Sequence, residues 1–342
     1  MIFFTAKSGA RLGALLGIVC LGLAAVGCSS SSSSTPPASP SAAAKPSGTA
    51  NVAYAASLLY LNEKIVAPAF TSATGFKYSG HAGPSDGLQQ EISSGEISPN
   101  VFEAVGGDNI TPLFPKFTKW YVQYAGTSIT VAYNPSSKYG SDFAAIAAGK
   151  KPIQDLFTIM EKPGFKLGRT DPNLDPQGRA FIYMLELAQA QYHLPSDTVA
   201  KILGTTNFAD ANSPQVFDEA ALPARLQAGQ LDAASAYQSQ AIQLHLHYIQ
   251  LPVTINLSSP ALADHYHTAS ITIAGNVTKH GSPLVLGITT IAPPNSAGTA
   301  YVKYVLSPAG QALYKQGGYN VLKPTAFGTT SAIPPAISSE LG

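Results

Sequence analysis

Gly168-Arg169-Thr170-Asp171-Pro172-Asn173-Leu174-Asp175-Pro176-Gln177-Gly178 is the stretch on which the fold turns. The residues just before and into it, Lys166 to Arg169, read as a strand, and the Asp, Pro and Asn residues from Thr170 onward read as a turn-rich loop. Pro176 suits the first position of a helix, where its missing N–H would be unpaired anyway. A helix to about Tyr192 follows, with Phe181, Ile182, Leu185 and Ala188 on one buried stripe. Asp175 then stands at the N-terminus of that helix. Strand, loop and helix in direct succession make one unit of an α/β protein.

The alternation extends both ways. Upstream, Leu58, Leu59, Ile65, Val66 and Phe70 predict a helix near 58–73 with Ser57 as its N-cap. Phe76 to Tyr78 predicts a short strand, Ser85 to Ser94 a helix, and Val101 to Val105 and Ser128 to Tyr133 two more strands. Downstream come a helix from Glu219 to Ala228 closed by Gly229, a strand from Leu231 to Tyr237, a strand from Leu284 to Thr289, and helices near Ser296 to Leu306 and Ala309 to Gln316. No internal repeat is evident. Alternating strands and helices predict a parallel sheet covered on both faces. Ligands of such sheets gather beyond the carboxyl ends of the strands, where helix N-termini converge. Ser57, Ser85 and Asp175 occupy that kind of position, and helix N-termini attract anions without any Lys or Arg.

Composition narrows the function. The chain has 342 residues, 11% of them charged, with 20 Lys and Arg against 19 Asp and Glu. That near-neutral balance argues against a nucleic-acid partner, so affinity for an anion must come from local geometry. At the N-terminus Lys7 and Arg11 precede an apolar run, Leu12 to Val26, that ends in Ala25-Val26-Gly27-Cys28. The run is shorter than the ~20 residues of a membrane span, so residues 1–27 read as a signal peptide and Cys28 as the lipidated first residue. A plain signal peptide with an incidental thiol is the other reading. Residues 28–50, rich in Ser, Pro and Ala, form a tether. Cys20 lies in the discarded segment, which excludes a disulfide framework and a Cys-ligated metal site. From residue 51 the chain is long enough for two lobes.

Two His-x-His pairs, His245-Leu246-His247 and His265-Tyr266-His267, would share a face if each lay on a strand and could then take Zn²⁺. A His-dependent metal-binding surface protein is therefore one alternative. A hydrolase is another, but no Gly-x-Ser-x-Gly elbow occurs, and neither a P-loop nor a dinucleotide fingerprint is found.

Several segments together resemble a known family. They are Ala55-Ala56-Ser57-Leu58, Gly83-Pro84-Ser85, the Gly168 to Gly178 stretch, Leu226-Gln227-Ala228-Gly229-Gln230-Leu231-Asp232, Tyr237-Gln238-Ser239, Asn256-Leu257-Ser258, Gly281-Ser282-Pro283 and Ser307-Pro308-Ala309-Gly310-Gln311-Ala312. Their order and spacing resemble the tungstate/molybdate-binding proteins of ABC importers, a branch of the periplasmic-binding-protein superfamily, over most of residues 53–327. The resemblance implies an α/β, two-lobed periplasmic-binding-protein-like fold of type II. Each lobe would be a mixed sheet flanked by helices, with the ligand in the interlobe cleft. Lobe one would combine 51–130 with 283–342, and lobe two would be 131–282.

The same resemblance implies a monomeric, lipid-anchored receptor outside the cytoplasm, neither an enzyme nor a cofactor protein, that hands tungstate or molybdate to a permease and its ATPase. Asp175 and Glu219 match the carboxylates that raise the oxyanion to six-coordination. Ser57, Ser85 and Tyr237 match the positions that contact its oxo groups. The chain departs from the family pattern at Ala56, where Gly is usual, at Pro84, and at Gln177, where Cys is frequent. A carboxylate facing a dianion normally repels it. It is tolerable when it bonds to a hard, high-valent metal centre, which can expand its coordination as the sulfur of sulfate cannot. A receptor for sulfate or phosphate is the alternative within the same class.

Overall fold

The computed structural model describes residues 46–341. The first sheet takes β1 (Thr49–Ala55), β2 (Lys77–Gly83), β3 (Val101–Val105) and β4 (Trp120–Gly126) from the start of this region. The chain then gives β5 (Ile129–Tyr133), β6 (Leu167–Gly168), β7 (Ala233–Tyr237) and β8 (Tyr248–Ile249) to a second sheet. A hairpin of β9 (Ser270–Ile273) and β10 (Val277–His280) follows, and β11 (Val285–Thr290) and β12 (Asn320–Gly328) return to the first. The orders are β12-β4-β11-β3-β1-β2 and β6-β7-β5-β8.

Both sheets are mixed. Only β1 with β2, β1 with β3, and β6 with β7 run parallel; the other pairs are antiparallel, which corrects the expectation of a parallel sheet. β1 begins at Thr49, so the last two residues of the stretch read as tether already pair with Lys77 and Tyr78. Ile129 and Thr130, assigned by sequence to the first lobe, pair with Tyr237 and Ala236 in the second sheet. Cys28 and the signal segment lie outside the described residues.

Alternation builds the core. On β3, Val101 and Val105 join one apolar cluster while Phe102 and Ala104 join another on the opposite face, where Leu88 and Ile92 of the Ser85–Ser94 helix cover them. On the first face Phe70 meets Tyr301 of the Ser296–Leu306 helix edge-on at 5.3 Å. The second sheet is covered on one side by the Pro176–Gln191 helix, with Phe181, Ile182 and Leu185 fully buried, and on the other by Leu222 and Leu226. Where the chain passes between sheets, Thr127 N–H donates to Leu284 O at 2.9 Å and Leu284 N–H to Leu257 O at 2.8 Å. Thr127 and Ser239 hydroxyls meet at 2.9 Å beside that crossing. Among the described residues no helix is long and apolar enough to cross a membrane.

Candidate functional site

Asp175 caps the long helix in extended conformation, and its Oδ1 accepts the Gln177 N–H at 2.8 Å. Its Oδ2 is buried with no hydrogen-bond partner among the described residues. Burial pushes the carboxyl pKa up to about 6, against the pull of the Gln177 amide and of the nearby Arg179 guanidinium. Gly178 lets the helix start this close to its own loop. A Cβ at that position would stand 2.5 Å from the Thr170 carbonyl oxygen.

Glu219 opens a 3₁₀ turn, Glu219–Ala221, ahead of the Leu222–Gln227 helix and is 4% exposed. Its Oε1 accepts from Gln177 Nε2 at 2.8 Å and, more distantly, from Gln240 Nε2 at 3.5 Å. Burial, and after it the charge of Asp175, pushes its pKa well above the ordinary carboxylate value, while the Ser57 backbone amide and the Gln177 side chain pull the other way. Two buried acids from separate elements thus lie close enough for the charge of one to raise the pKa of the other.

Tyr237 ends β7, and its hydroxyl is buried without a partner among the described residues. Burial first, then the charges of Asp175 and Glu219, raise its pKa far above the ordinary phenol value. Thr170 Oγ1 is likewise buried and unpaired, although it lies close enough to Asp175 to favour the ionised carboxylate. Ser85 is the first residue of its helix, and its hydroxyl accepts from Val105 N–H at 3.2 Å, which leaves its own hydrogen free to donate. The next amide, Asp86 N–H, donates to Leu174 O at 3.1 Å, so this helix start touches the loop that carries Asp175.

The structure therefore brings Asp175, Glu219 and Tyr237 together, with the Ser57 amide against Glu219 and Ser85 one residue from the Asp175 loop. Ser57 does not cap its helix. Ala55 holds that position, no side-chain cap bond forms, and Ser57 sits inside the 3₁₀ turn Ala56–Leu58. A cavity of about 400 Å³ opens at the site, with Pro84 on one wall and Thr170, Asp175 and Glu219 on the others. Ser57, Ser85 and Tyr237 are not among its lining residues.

Sequence reasoning missed Thr170, Gln240 and Arg179, and read Gln177 only as a departure from a pattern. Arg179 Nη2 lies 2.6 Å from Asp86 Oδ2, a buried ion pair between the Pro176–Gln191 and Ser85–Ser94 helices, and Arg179 Nη1 donates to Pro172 O at 3.0 Å. Three of these residues fall within or just beyond the stretch first quoted; the signal available was a run of polar residues on the buried first turn of an apolar helix.

The His-x-His pairs do not lie on strands. His245 sits in a turn with φ 52°, and His265 and Tyr266 belong to the Ala263–Tyr266 helix, where residues two apart point to different sides. His265 Nε2 meets Thr254 O at 2.8 Å, and His267 stacks on His280 at 4.2 Å. Among the described residues no group of three or more His, Cys, Asp and Glu could hold a metal ion.

Two mixed sheets, exchanged by a chain that crosses from one to the other and back, with buried polar groups gathered between helix starts, form the two-lobed architecture of periplasmic binding proteins. The fold matches the periplasmic molybdate-binding protein of Azotobacter vinelandii with a TM-score of 0.51 at 15% identity, over 79% of this chain and 97% of that one. The chain belongs to the bacterial extracellular solute-binding protein family, whose sequence profile matches residues 50–320. A solute-binding protein of Petrotoga mobilis is 30% identical over 219 residues, 62% of this chain and 64% of that protein. A molybdate/tungstate-binding protein of Pyrococcus abyssi is 30% identical over 237 residues, 63% of this chain and 66% of that one. The matches span just under two thirds of each relative's length.

Proposed function

We propose that this chain is the receptor of an ABC importer that captures tungstate or molybdate at the Asp175–Glu219 site and delivers it to a permease and its ATPase. The observation that carries the reading is the buried carboxylate pair, in which each acid has one oxygen committed to Gln177, beside two unpaired hydroxyls, Thr170 and Tyr237. Buried polar atoms are ordinarily paired, and unpaired ones gathered at one place are a ligand's complement. Asp175 and Glu219 would ligate the metal, while Ser57, Ser85 and Tyr237 satisfy the oxo groups. The Pyrococcus abyssi relative, a molybdate/tungstate-binding protein, supports the choice of cargo.

Two acids exclude a dianion that offers only oxygens, so sulfate and phosphate are the disfavoured cargoes. The reading includes lipidation of Cys28, which would hold a monomeric receptor close to its permease outside the cytoplasm. The lobes that close on the ligand would be 51–130 with 283–342 and 131–282, with Ile129 and Thr130 moved to the second by their pairing with β7. Calorimetric titration of the chain from Ser29 onward with tungstate, molybdate, sulfate, phosphate and zinc tests the cargo. Tight 1:1 binding of the first two is expected; equal affinity for sulfate would overturn it. Labelling with an alkynyl fatty acid tests the anchor, with label expected on the native chain and absent after Cys28→Ala.

A further inference from the structure

One residue touches both acids. The backbone N–H of Gln177 donates to Asp175 Oδ1 at 2.8 Å, and its side-chain Nε2 donates to Glu219 Oε1 at 2.8 Å. The amide is held the right way round from behind, because Gln177 Oε1 accepts from the Ser235 hydroxyl at 2.9 Å. Gln240 closes the set, its Oε1 3.5 Å from Gln177 Nε2 and its own Nε2 3.5 Å from Glu219 Oε1. Gln177, Ser235 and Gln240 are all buried, so neither water nor a mobile side chain can substitute for these bonds. Each acid is left with one oxygen outside the clamp.

We propose that Gln177 is the positioning residue that makes Asp175 and Glu219 one-oxygen ligands, set by Ser235 and acting on the two acids through its main chain and its side chain. This deepens the functional reading above and rests on it. A carboxylate with both oxygens free can chelate a metal centre. Two chelating acids would crowd a centre that already carries four oxo groups, whereas two single oxygens bring it to six. The main-chain half is indifferent to the side chain at 177, so substitution there withdraws the shorter bond to Glu219 and leaves Gln240 Nε2 3.5 Å from it.

The test compares the native chain, Gln177→Leu, Ser235→Ala and Glu219→Gln, each titrated with sodium tungstate at neutral pH and then examined in the bound state by tungsten-edge X-ray absorption, with melting of the ligand-free proteins alongside. Loss of a bond to a charged acceptor corresponds to a fall in affinity on the order of tenfold to a hundredfold for Gln177→Leu. The oxygen shell around tungsten is expected to depart from that of the native complex. Ser235→Ala, which leaves Gln177 in place but frees its amide to turn over, is expected to move both quantities in the same direction by less; it carries the test alone if Gln177→Leu does not fold. Native affinity and an unchanged oxygen shell in both variants would overturn the proposal while leaving the cargo assignment standing. So would a loss of affinity with an unchanged shell, since that is what damage to packing alone produces. Failure of the native chain to bind tungstate, or undiminished binding by Glu219→Gln, would instead remove the functional reading on which the proposal rests.

Discussion

Replacing Asp175 with Asn should make the ligand-free protein more stable at neutral pH while removing its capacity to bind the oxyanion. Asn keeps the capping oxygen for the Gln177 N–H, so the helix start survives the change. What it removes is a charge that the fold tolerates poorly. Burial raises the Asp175 pKa from 3.8 to about 6, and each tenfold change in proton affinity is about 1.4 kcal/mol, so the ionised form costs the folded state about 3 kcal/mol. The sign follows from the direction: a raised acid favours the fold where it is protonated, and that contribution is lost as pH climbs from 3.8 through about 6. The advantage of Asn over Asp should accordingly grow from about 0.5 kcal/mol near pH 4 to about 3 kcal/mol at pH 7.5. Urea unfolding of both ligand-free proteins across that range measures it, together with the relief of Glu219, whose pKa falls when the Asp175 charge is removed and which adds to the advantage of Asn. A difference that does not change with pH would refute the account of Asp175 as a buried, ionisable ligand.

Three further outcomes are expected. Tungstate affinity of the native chain should fall below pH 6 by about tenfold per pH unit for each proton that Asp175 and Glu219, both raised, must release on binding; a flat profile from pH 7 to 4.5, read by calorimetry, would contradict carboxylate ligation. Arg179→Met leaves the buried Asp86 with Lys279 alone, 3.9 Å away, so the loss should fall short of the about 3–5 kcal/mol of a fully stranded charge and should appear in X-ray scattering as a more open ligand-bound form, and Asp86→Asn in the same chain should recover part of the affinity. Gly178→Ala presses a methyl against the Thr170 carbonyl and should cost about 1–3 kcal/mol together with ligand affinity, whereas Gly87→Ala, whose nearest neighbours are 3.8 Å away, should leave affinity unchanged in the same titration.

Much of the architecture is legible in local pattern. Ser85–Ser94, Val101–Val105 and Pro176–Gln191 follow from apolar spacing and from Pro and Gly at the ends, because those elements bury one stripe or two faces. β1 and β4 lie outside the sequence expectations for different reasons. Thr49–Ala55 is mostly small residues continuous with the Ala-rich tether, and only pairing with β2 and β3 makes it a strand. Trp120–Gly126 is separated from β5 by Thr127 and Ser128 alone, so the change of sheet leaves no gap in the apolar pattern. Strand direction is not local either: β11 lies antiparallel between β3 and β4 after the intervening residues have built another sheet. At the site, Asp175 is visible as a cap. Glu219 has no local signature, since its role comes from Gln177 reaching it across 42 positions.

The first turn of the Pro176–Gln191 helix explains why recognition and closure need not be separate devices. Asp175 caps it, Gln177 clamps both acids from its second position, and Arg179, its fourth, reaches Asp86 at 2.6 Å on the helix that Ser85 begins. A ligand bonded to the free oxygen of Asp175 therefore bears on the same turn that carries the charge pair between the two helix starts. Without the ligand, the cap of that turn is a carboxylate pushed toward protonation, and the hydroxyls of Thr170, on the preceding loop, and of Tyr237, on β7, have no partner among the described residues. With a ligand bound as proposed, the acid would be ionised against a metal centre, and closed walls would be favoured. Selectivity and closure would then share one source: an anion that cannot accept a carboxylate at its centre would leave the turn, and the Arg179–Asp86 pair it positions, unsupported.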